Sequence, residues 1–265
     1  MVREILRPRT QRDAMRMRSR PGSAYLGGGT WLNSPFGGSP QLLISLESLG
    51  LDYLREEGGL LRIGAMVRFQ QLADNPSAPD ALRKAVRLTA SRTLRNMASI
   101  GGELALMPEN SALLPLLFAL DALVVAGGKK PQPMESWRRE RRQELVTEVR
   151  LHAAPARLSD IDVVSRTSHS PRSLVVAASA QALKPVVMGV RLVVSDCRGR
   201  LVRLKETEKH LENGPLPLKK DIEEMVRGEF SPAGDAHASV DYKRYMAGVL
   251  AADILCRLSA GEALR

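Results

Sequence analysis

The stretch Tyr25-Leu26-Gly27-Gly28-Gly29-Thr30-Trp31-Leu32 carries a short apolar run into three consecutive glycines and a hydroxyl residue. Glycine lets the main chain turn sharply and leaves its N–H groups unshielded, so such a loop can form a concave cradle for an anion. The same run is also compatible with an ordinary turn or linker. Taken alone, this first loop, residues 27–30, predicts either an anion-binding cradle or a simple connection.

A second glycine-centred stretch follows about seventy residues later and reads Leu94-Arg95-Asn96-Met97-Ala98-Ser99-Ile100-Gly101-Gly102-Glu103-Leu104. Its centre, residues 99–102, is called the second loop below, and on its own it is also compatible with a bulge or a tight bend. Two cradles in one chain predict a ligand with a diphosphate at its centre. A GxGxxG motif opening a helix and a GxxxxGK motif followed by Ser or Thr are both absent, which argues against a Rossmann site or a P-loop.

The two loops resemble the flavin-binding signatures of the FAD subunits of molybdenum hydroxylases, the xanthine dehydrogenase and carbon monoxide dehydrogenase family. Further segments are similar to the family in the same order along the chain: residues 44–46, 61–65, 115–122 and 235–243. The resemblance covers nearly the whole sequence and is nearest to the branch of putative selenium-dependent xanthine dehydrogenases.

The resemblance implies an α+β fold. It consists of a two-subdomain FAD-binding domain of the vanillyl-alcohol-oxidase/CO-dehydrogenase flavoprotein type and a small C-terminal α+β domain with an antiparallel sheet. We expect the FAD-binding domain at residues 1–150, with subdomains at about 1–50 and 51–150. The CO-dehydrogenase-flavoprotein-like domain is then expected at residues 151–265.

The same resemblance implies the residues that bind FAD. Backbone groups of the first loop meet one side of the pyrophosphate, those of the second loop meet the other, and two apolar residues pack near the ligand. The complete set of cofactor-binding residues implied is Leu26, Gly27, Gly28, Gly29, Thr30, Trp31, Ser99, Ile100, Gly101, Gly102, Glu103 and Arg166. Within it, the Ser99 hydroxyl takes the part of the family's usual threonine.

Three positions depart from the family's pattern. Glu103 replaces the usual Asn, and its carboxylate would repel a diphosphate unless it is turned away or paired, with Arg95 as the expected partner. Ala112 stands where many relatives carry Asp, and Arg166 lies near the place of a Lys beside the flavin ring.

Catalytic and metal-binding patterns are missing from the sequence. Two cysteines cannot hold a [2Fe–2S] cluster, which needs four ligands, and the four histidines have no metal-ligand spacing. GxSxG is absent as well. We therefore predict no catalytic or metal-binding residue, and we expect the chemistry to belong to bound FAD while the protein supplies orientation and electrostatics.

The expected function is an FAD-binding electron-transfer subunit of a xanthine dehydrogenase-like molybdenum hydroxylase. The implied partners are a [2Fe–2S] subunit and a molybdopterin-binding catalytic subunit, with NAD as a candidate acceptor. Two alternatives stay open: a flavin-poor structural or assembly subunit of such a complex, and a stand-alone flavoprotein oxidoreductase.

The formal net charge is +10 for 265 residues. The densest cluster, residues 138–142, has no interleaved aromatic residues for base stacking, so we expect no nucleic-acid partner and interpret it as a solvated face or a surface for an acidic subunit. No apolar run approaches the ~20 residues of a membrane helix. Glu4 and Asp13 interrupt the arginine-rich start, which argues against a transit peptide, and the cytoplasm is the expected location.

Local patterns predict several elements directly. We expect strands over residues 2–6, 24–26 and 42–46, a short helix from the N-cap Thr10 to Met17, and helices over 79–91 and 111–120, with Pro115 marking a kink or late start in the latter. A final amphipathic helix is expected to bury one apolar face, which consists of Tyr242, Tyr245, Met246, Val249 and Leu250.

Overall fold

A computed structural model of the chain describes residues 2–35, 37–140, 144–152, 157–167, 170–183, 186–196, 198–212 and 214–261. The strands are β1 Glu4–Leu6, β2 Ser23–Leu26, β3 Leu42–Ser45, β4 Leu54–Glu57, β5 Leu60–Gly64, β6 Leu123–Ala126, β7 Gln132–Pro133, β8 Val146–His152, β9 Arg157–Val164, β10 Leu174–Leu183, β11 Val186–Asp196, β12 Leu201–Arg203 and β13 Gly214–Pro215. The helices are α1 Gln11–Arg18, α2 Phe69–Asp74, α3 Asp80–Thr89, α4 Arg92–Arg95, α5 Ile100–Leu106, α6 Leu113–Ala119, α7 Met134–Glu140, α8 Lys205–Leu211, α9 Lys219–Glu229 and α10 Val240–Ala260, with a 3₁₀ turn at Glu47–Leu49.

The chain divides into two compact units that are interleaved along the sequence. The first unit contains Met1–Pro76, Ala90–Met107 and Asp121–Ala153. The second contains Ser77–Thr89, Pro108–Leu120 and Ala154–Arg265. Both units mix helices and sheets, which confirms the α+β fold class, and the predicted division at residue 150 stays a prediction.

A three-stranded parallel sheet of order β1-β3-β2 opens the first unit. The Thr10 hydroxyl caps α1 by accepting from the N–H of Asp13, as the sequence predicted. Ala14 of α1 is fully buried and shares a core cluster with Ile44 of β3. This packing fixes α1 against the strand β2, from which the first loop emerges.

An antiparallel sheet of order β4-β5-β8-β6-β7 completes the first unit. Glu148 of β8 is buried and accepts hydrogen bonds from Tyr53, Arg62 and Arg150. Burial alone would raise the pKa of Glu148, but these hydrogen bonds together hold it below its ordinary value. The cluster therefore stabilises the pairing of β5 with β8 as long as the carboxylate is ionised.

The second unit is built on an antiparallel sheet of order β12-β11-β10-β9, with β13 paired to β11. Helices α3, α6 and α10 pack on this sheet. Asp160 of β9 is bound by Lys84 of α3 and by Arg257 of α10, so one buried carboxylate ties two helices to the strand. The antiparallel C-terminal sheet was expected.

Helix α10 lies in its expected place and buries only part of the expected stripe, since Met246 and Leu250 pack partly buried against the core. Tyr242 and Tyr245 remain 47% and 49% exposed. The buried residues of α10 are small in its middle and large and aliphatic toward its C-terminal end: Ala247, Gly248, Ala251, Ala252, Ile254, Leu255 and Leu258. Because α10 packs on β10, where Ala178 is also buried, the small side chains allow a close approach of helix and sheet.

The helix α6 starts late, as Pro115 predicted. It begins at Leu113, and the Ser111 hydroxyl accepts from the N–H of Leu114. Through all the described ranges, no helix combines the length and the apolar character that crossing a membrane requires.

Candidate functional site

A cavity of about 500 Å³ opens in the first unit beside both glycine loops. Most of the residues predicted to bind the cofactor line it: Gly27, Gly28, Gly29, Thr30, Trp31, Ser99, Gly101, Gly102 and Glu103. The structure thus brings together two stretches that lie far apart in sequence.

The first loop is in direct contact with the chain segment that precedes the second loop. A Cβ atom on Gly28 would overlap the carbonyl oxygen of Met97, and it would lie 2.8 Å from Nη1 of Arg68. The same Arg68 Nη1 donates to the Met97 oxygen. Glycine is therefore required at position 28 because two backbones meet there, with an arginine beside them.

The main-chain N–H groups of the first loop remain available. Within the part of the chain that the structure describes, the N–H groups of Gly28, Gly29 and Thr30 donate to no protein acceptor. Gly29 has a φ of +71°, in the left-handed region. Successive unbonded N–H groups that include such a residue can form an anion-binding concavity.

The main-chain N–H groups of the second loop are arranged differently, and the role of this loop toward a cofactor stays a prediction. The N–H of Ile100 donates to the carbonyl of Val67 at 3.1 Å, and the N–H of Gly101 donates to the carbonyl of Ala65 at 2.9 Å. The two amides expected to face the pyrophosphate are thus already bonded to the segment that follows β5.

Ser99 joins the two loops. Its hydroxyl accepts from the N–H of Gly102 at 3.3 Å and so caps α5. The same oxygen lies 3.3 Å from the position of a Cβ on Gly27. Of the second loop, the cavity therefore receives this hydroxyl and the surfaces of two glycines rather than a row of open amides.

Three of the predicted residues are not part of the cavity lining. Leu26 ends β2, and its carbonyl accepts from Leu46. Ile100 is fully buried. Arg166 belongs to the second unit, where its Nη2 donates to the carbonyl of Ala236 at 3.3 Å. Their roles toward a cofactor stay predictions.

The charged side chains of the lining are Arg18, Glu103 and Glu144. Glu144 also pairs with Lys129. Arg95, the expected partner of Glu103, instead donates to Gln70 and to the carbonyl of Ala90. The cavity thus contains more acidic than basic side chains, and open amides of the first loop offset this for an anionic ligand.

Sequence reasoning missed Arg18, Tyr25 and Trp137 as lining residues. Trp137 is anchored by a hydrogen bond from Nε1 to the carbonyl of Leu104. Tyr25 is half-buried, and that burial raises the pKa of its phenol while the nearby Arg18 opposes the shift. Tyr25 lies in the first quoted stretch, and Arg18 directly follows the helix that was predicted to end at Met17, so position alone was the available signal.

Groups of acidic, histidine or cysteine side chains that could hold a metal ion are absent among the described residues. The cavity lining combines glycines, hydroxyl and aromatic residues and a few charges with many aliphatic residues, among them Leu32, Met66 and Leu104. This arrangement can bind and orient an anionic, partly aromatic ligand.

Comparison with sequence families gives a match over residues 1–153 to the family described as FAD binding domain in molybdopterin dehydrogenase. The chain is also 34% identical over 270 residues to the uncharacterized protein YgfM of Escherichia coli (strain K12), with 100% of both chains covered. It is 22% identical over 227 residues to the glyceraldehyde dehydrogenase medium chain of Sulfolobus acidocaldarius, which covers 80% of this chain and 81% of that one.

Two solved structures have a similar fold. One is carbon monoxide dehydrogenase from Hydrogenophaga pseudoflava lacking the Mo-pyranopterin moiety, with a TM-score of 0.86, 21% identity and 99% of each chain covered. The other is quinoline 2-oxidoreductase from Pseudomonas putida 86, with a TM-score of 0.85, 16% identity, and 99% of this chain and 98% of that one covered. At these identities the likeness establishes the fold.

Proposed function

Because the chain belongs to the family of FAD-binding domains in molybdopterin dehydrogenases, we propose that it is the subunit that carries electrons from partner [2Fe–2S] clusters to an external acceptor. That it is an FAD-binding oxidoreductase subunit of the molybdenum hydroxylase family follows from the family itself. The electron path, the partners and the substrate are the proposed part.

The observation that carries the proposal is the first loop. Three consecutive open N–H groups, at Gly28, Gly29 and Thr30, line a cavity of about 500 Å³ beside the Ser99 hydroxyl. Backbone donors without a protein acceptor suit the oxygens of a diphosphate, and the half-buried Tyr25 and the exposed Trp31 offer aromatic surface. The residues present therefore fit FAD.

In this proposal the first loop holds the diphosphate, and Ser99 keeps the second loop against the first loop. When bound, FAD supplies the redox group that accepts and releases electrons. The protein's part is to bind and orient it.

The first test is the absorption spectrum of the purified full chain after addition of FAD. We expect a yellow protein with the visible bands of an oxidised flavin that stay with it through gel filtration. A protein that remains colourless at a large excess of FAD would contradict the proposal.

The partner assignment requires a separate test. A tagged chain isolated from its native source is expected to bring with it a [2Fe–2S] protein and a molybdopterin-binding protein, detected by iron and molybdenum analysis. Isolation without iron or molybdenum would remove the electron-transfer role while leaving FAD binding in place.

The proposed substrate class is that of a xanthine dehydrogenase in the selenium-dependent branch, and NAD is the proposed acceptor. Both rest on sequence resemblance. Anaerobic addition of xanthine to the isolated complex should bleach the flavin absorption, and subsequent NAD should restore it with formation of NADH. If an aldehyde or another N-heterocycle bleaches the flavin and xanthine does not, the assignment of xanthine as substrate is wrong.

A second candidate function is favoured by the acidic lining. Glu103 and Glu144 both face the cavity, and two carboxylates near a diphosphate oppose its binding, as expected of a flavin-poor structural subunit. Wild-type chain and Glu103→Gln should be titrated with FAD. Binding by the wild type supports the electron-transfer role, whereas binding by Glu103→Gln alone supports the flavin-poor subunit.

The stand-alone flavoenzyme remains a third alternative, and only a direct assay separates it. It predicts substrate turnover by the isolated chain loaded with FAD and without partners. The electron-transfer subunit predicts none.

A further inference from the structure

Arg18 is the one basic side chain in the lining of the cavity, counted over the residues that the structure describes. The other charged side chains in that lining are Glu103 and Glu144. Without Arg18, every formal charge at the cavity surface would be negative.

The head group of Arg18 is held in place from two sides. Its Nη1 donates to the Ser23 hydroxyl at 3.4 Å, and that hydroxyl donates to the Arg18 carbonyl at 2.8 Å. The guanidinium carbon lies 5.8 Å from the ring centroid of Tyr25, within the range of a cation–π contact. Tyr25 in turn packs on the core cluster around Ile44.

A guanidinium held in this way still suits an anionic ligand. It carries five N–H donors in a planar fork, so hydrogen bonds that position the head group leave it able to bind phosphate oxygens. Tyr25 adds no competing negative charge at neutral pH, since burial raises the pKa of its phenol above the ordinary 10.0.

The neighbouring arginines of α1 face elsewhere. Arg16 pairs with Asp13 on the surface, where its side chain is 77% exposed, and Arg12 is also exposed. Residues two positions apart on a helix point to nearly opposite sides. The helix thus directs Arg18 toward the cavity and Arg16 toward solvent.

We propose that Arg18 binds a phosphate oxygen of the dinucleotide and thereby selects FAD over flavins that lack a phosphate. This inference rests on the proposed binding of FAD in this cavity. In it, Arg18 supplies the positive charge that neutralises the diphosphate, and Tyr25 and Ser23 position its head group.

The experiment titrates flavin-free full chain with FAD and with riboflavin at two salt concentrations. Arg18→Ala should weaken FAD binding about thirtyfold, the loss expected for one charge-assisted hydrogen bond, and should leave riboflavin binding unchanged. Its FAD affinity should also depend less on salt than that of the wild type. Arg16→Ala is the matched control and should bind both ligands like the wild type.

Arg18→Lys keeps the charge but not the planar fork, and it should fall between the wild type and Arg18→Ala in FAD affinity. If Arg18→Ala does not fold, the FAD affinity of Arg18→Lys shows whether Arg18 binds the phosphate. Unchanged FAD affinity in both Arg18 variants would overturn the inference, and so would an equal loss for FAD and riboflavin, which indicates a structural role. A wild-type chain that binds neither ligand would overturn the proposed function as well.

Discussion

The main-chain N–H groups of the first loop and of the second loop differ in what they bond to. Those of Gly28, Gly29 and Thr30 find no acceptor in the described protein, whereas those of Ile100 and Gly101 bond to the carbonyls of Val67 and Ala65. Similar glycine motifs therefore do different work. Both loops contain a glycine where two pieces of backbone pack closely, Gly28 against Met97 and Gly101 against Ala65, but only the first loop leaves three successive N–H groups without an acceptor among the described residues.

The largest effect is expected from Gly28→Ala. The new Cβ overlaps the Met97 carbonyl oxygen, so the first loop must move away from the second, and FAD affinity should fall about a hundredfold, near 3 kcal/mol. Isothermal titration with FAD measures this. Gly27→Ala is the control, since its Cβ would meet only side-chain atoms at 3.3 and 3.7 Å, and equal losses in the two variants would refute the distinction.

Gly101→Ala should instead reduce stability. Its Cβ would lie 2.6 Å from the Cβ of Ala65 and 2.7 Å from the Ala65 oxygen in a buried region, which should cost about 3 kcal/mol and lower Tm by roughly 6–12 °C. Thermal denaturation of the flavin-free chain tests this. Gly102→Ala, which approaches only the Ser99 hydroxyl, should change Tm by far less. If Gly101→Ala is as stable as the wild type, the close contact between Gly101 and Ala65 does not stabilise the protein.

Glu148→Gln tests whether the pairing of β5 with β8 stabilises the segment to which the second loop bonds. Glu148 pairs with Gly64 at the end of β5, just before the carbonyls that the loop binds, and the substitution should cost about 2 kcal/mol at pH 7 without changing FAD affinity. Because folding lowers the pKa of Glu148, its contribution is present above pH 4.5 and is lost as the pH falls further, so the two chains should converge in acid.

Urea denaturation at several pH values measures this difference. Glu57→Gln is the control because Glu57 also pairs with Arg62 but is 65% exposed, and it should have little effect. A constant difference between wild type and Glu148→Gln down to strongly acidic pH would refute the role of the ionised carboxylate.

Ser99→Ala should have the smallest effect. The lost hydroxyl caps α5, so stability should fall by about 1 kcal/mol while FAD affinity changes less than about threefold. Ser99→Thr should behave like the wild type. A tenfold loss of FAD affinity at unchanged stability would show instead that the hydroxyl binds the pyrophosphate, as the resemblance implies.

The sequence was sufficient to predict that both loops line one cavity, because the two motifs occur together and, with further segments in the same order, resemble one family. It was insufficient to show which amides are open. The acceptors of Ile100 and Gly101 lie more than thirty residues earlier in the chain, at Val67 and Ala65, and nothing in the motif identifies them.

The errors at α10 and at the cavity have related causes. Tyr242 and Tyr245 score as apolar, but small residues make the contact in the middle of α10, at Ala247 and Ala251, and the two tyrosines stay about half exposed. Arg18 was missed because one arginine among several near the start of the chain is distinguished only by the direction in which the helix points it.

The interleaving of the two units bears on how the protein is made and dissected. Helices α3 and α6 pack on β9, β10 and β11, which the ribosome makes later. The apolar faces of both helices therefore stay unpacked until these strands have been synthesised. A truncation after residue 153 would therefore leave both helices without their sheet. We therefore expect residues 1–153, the part of the sequence that matches the family, to fold poorly when expressed alone.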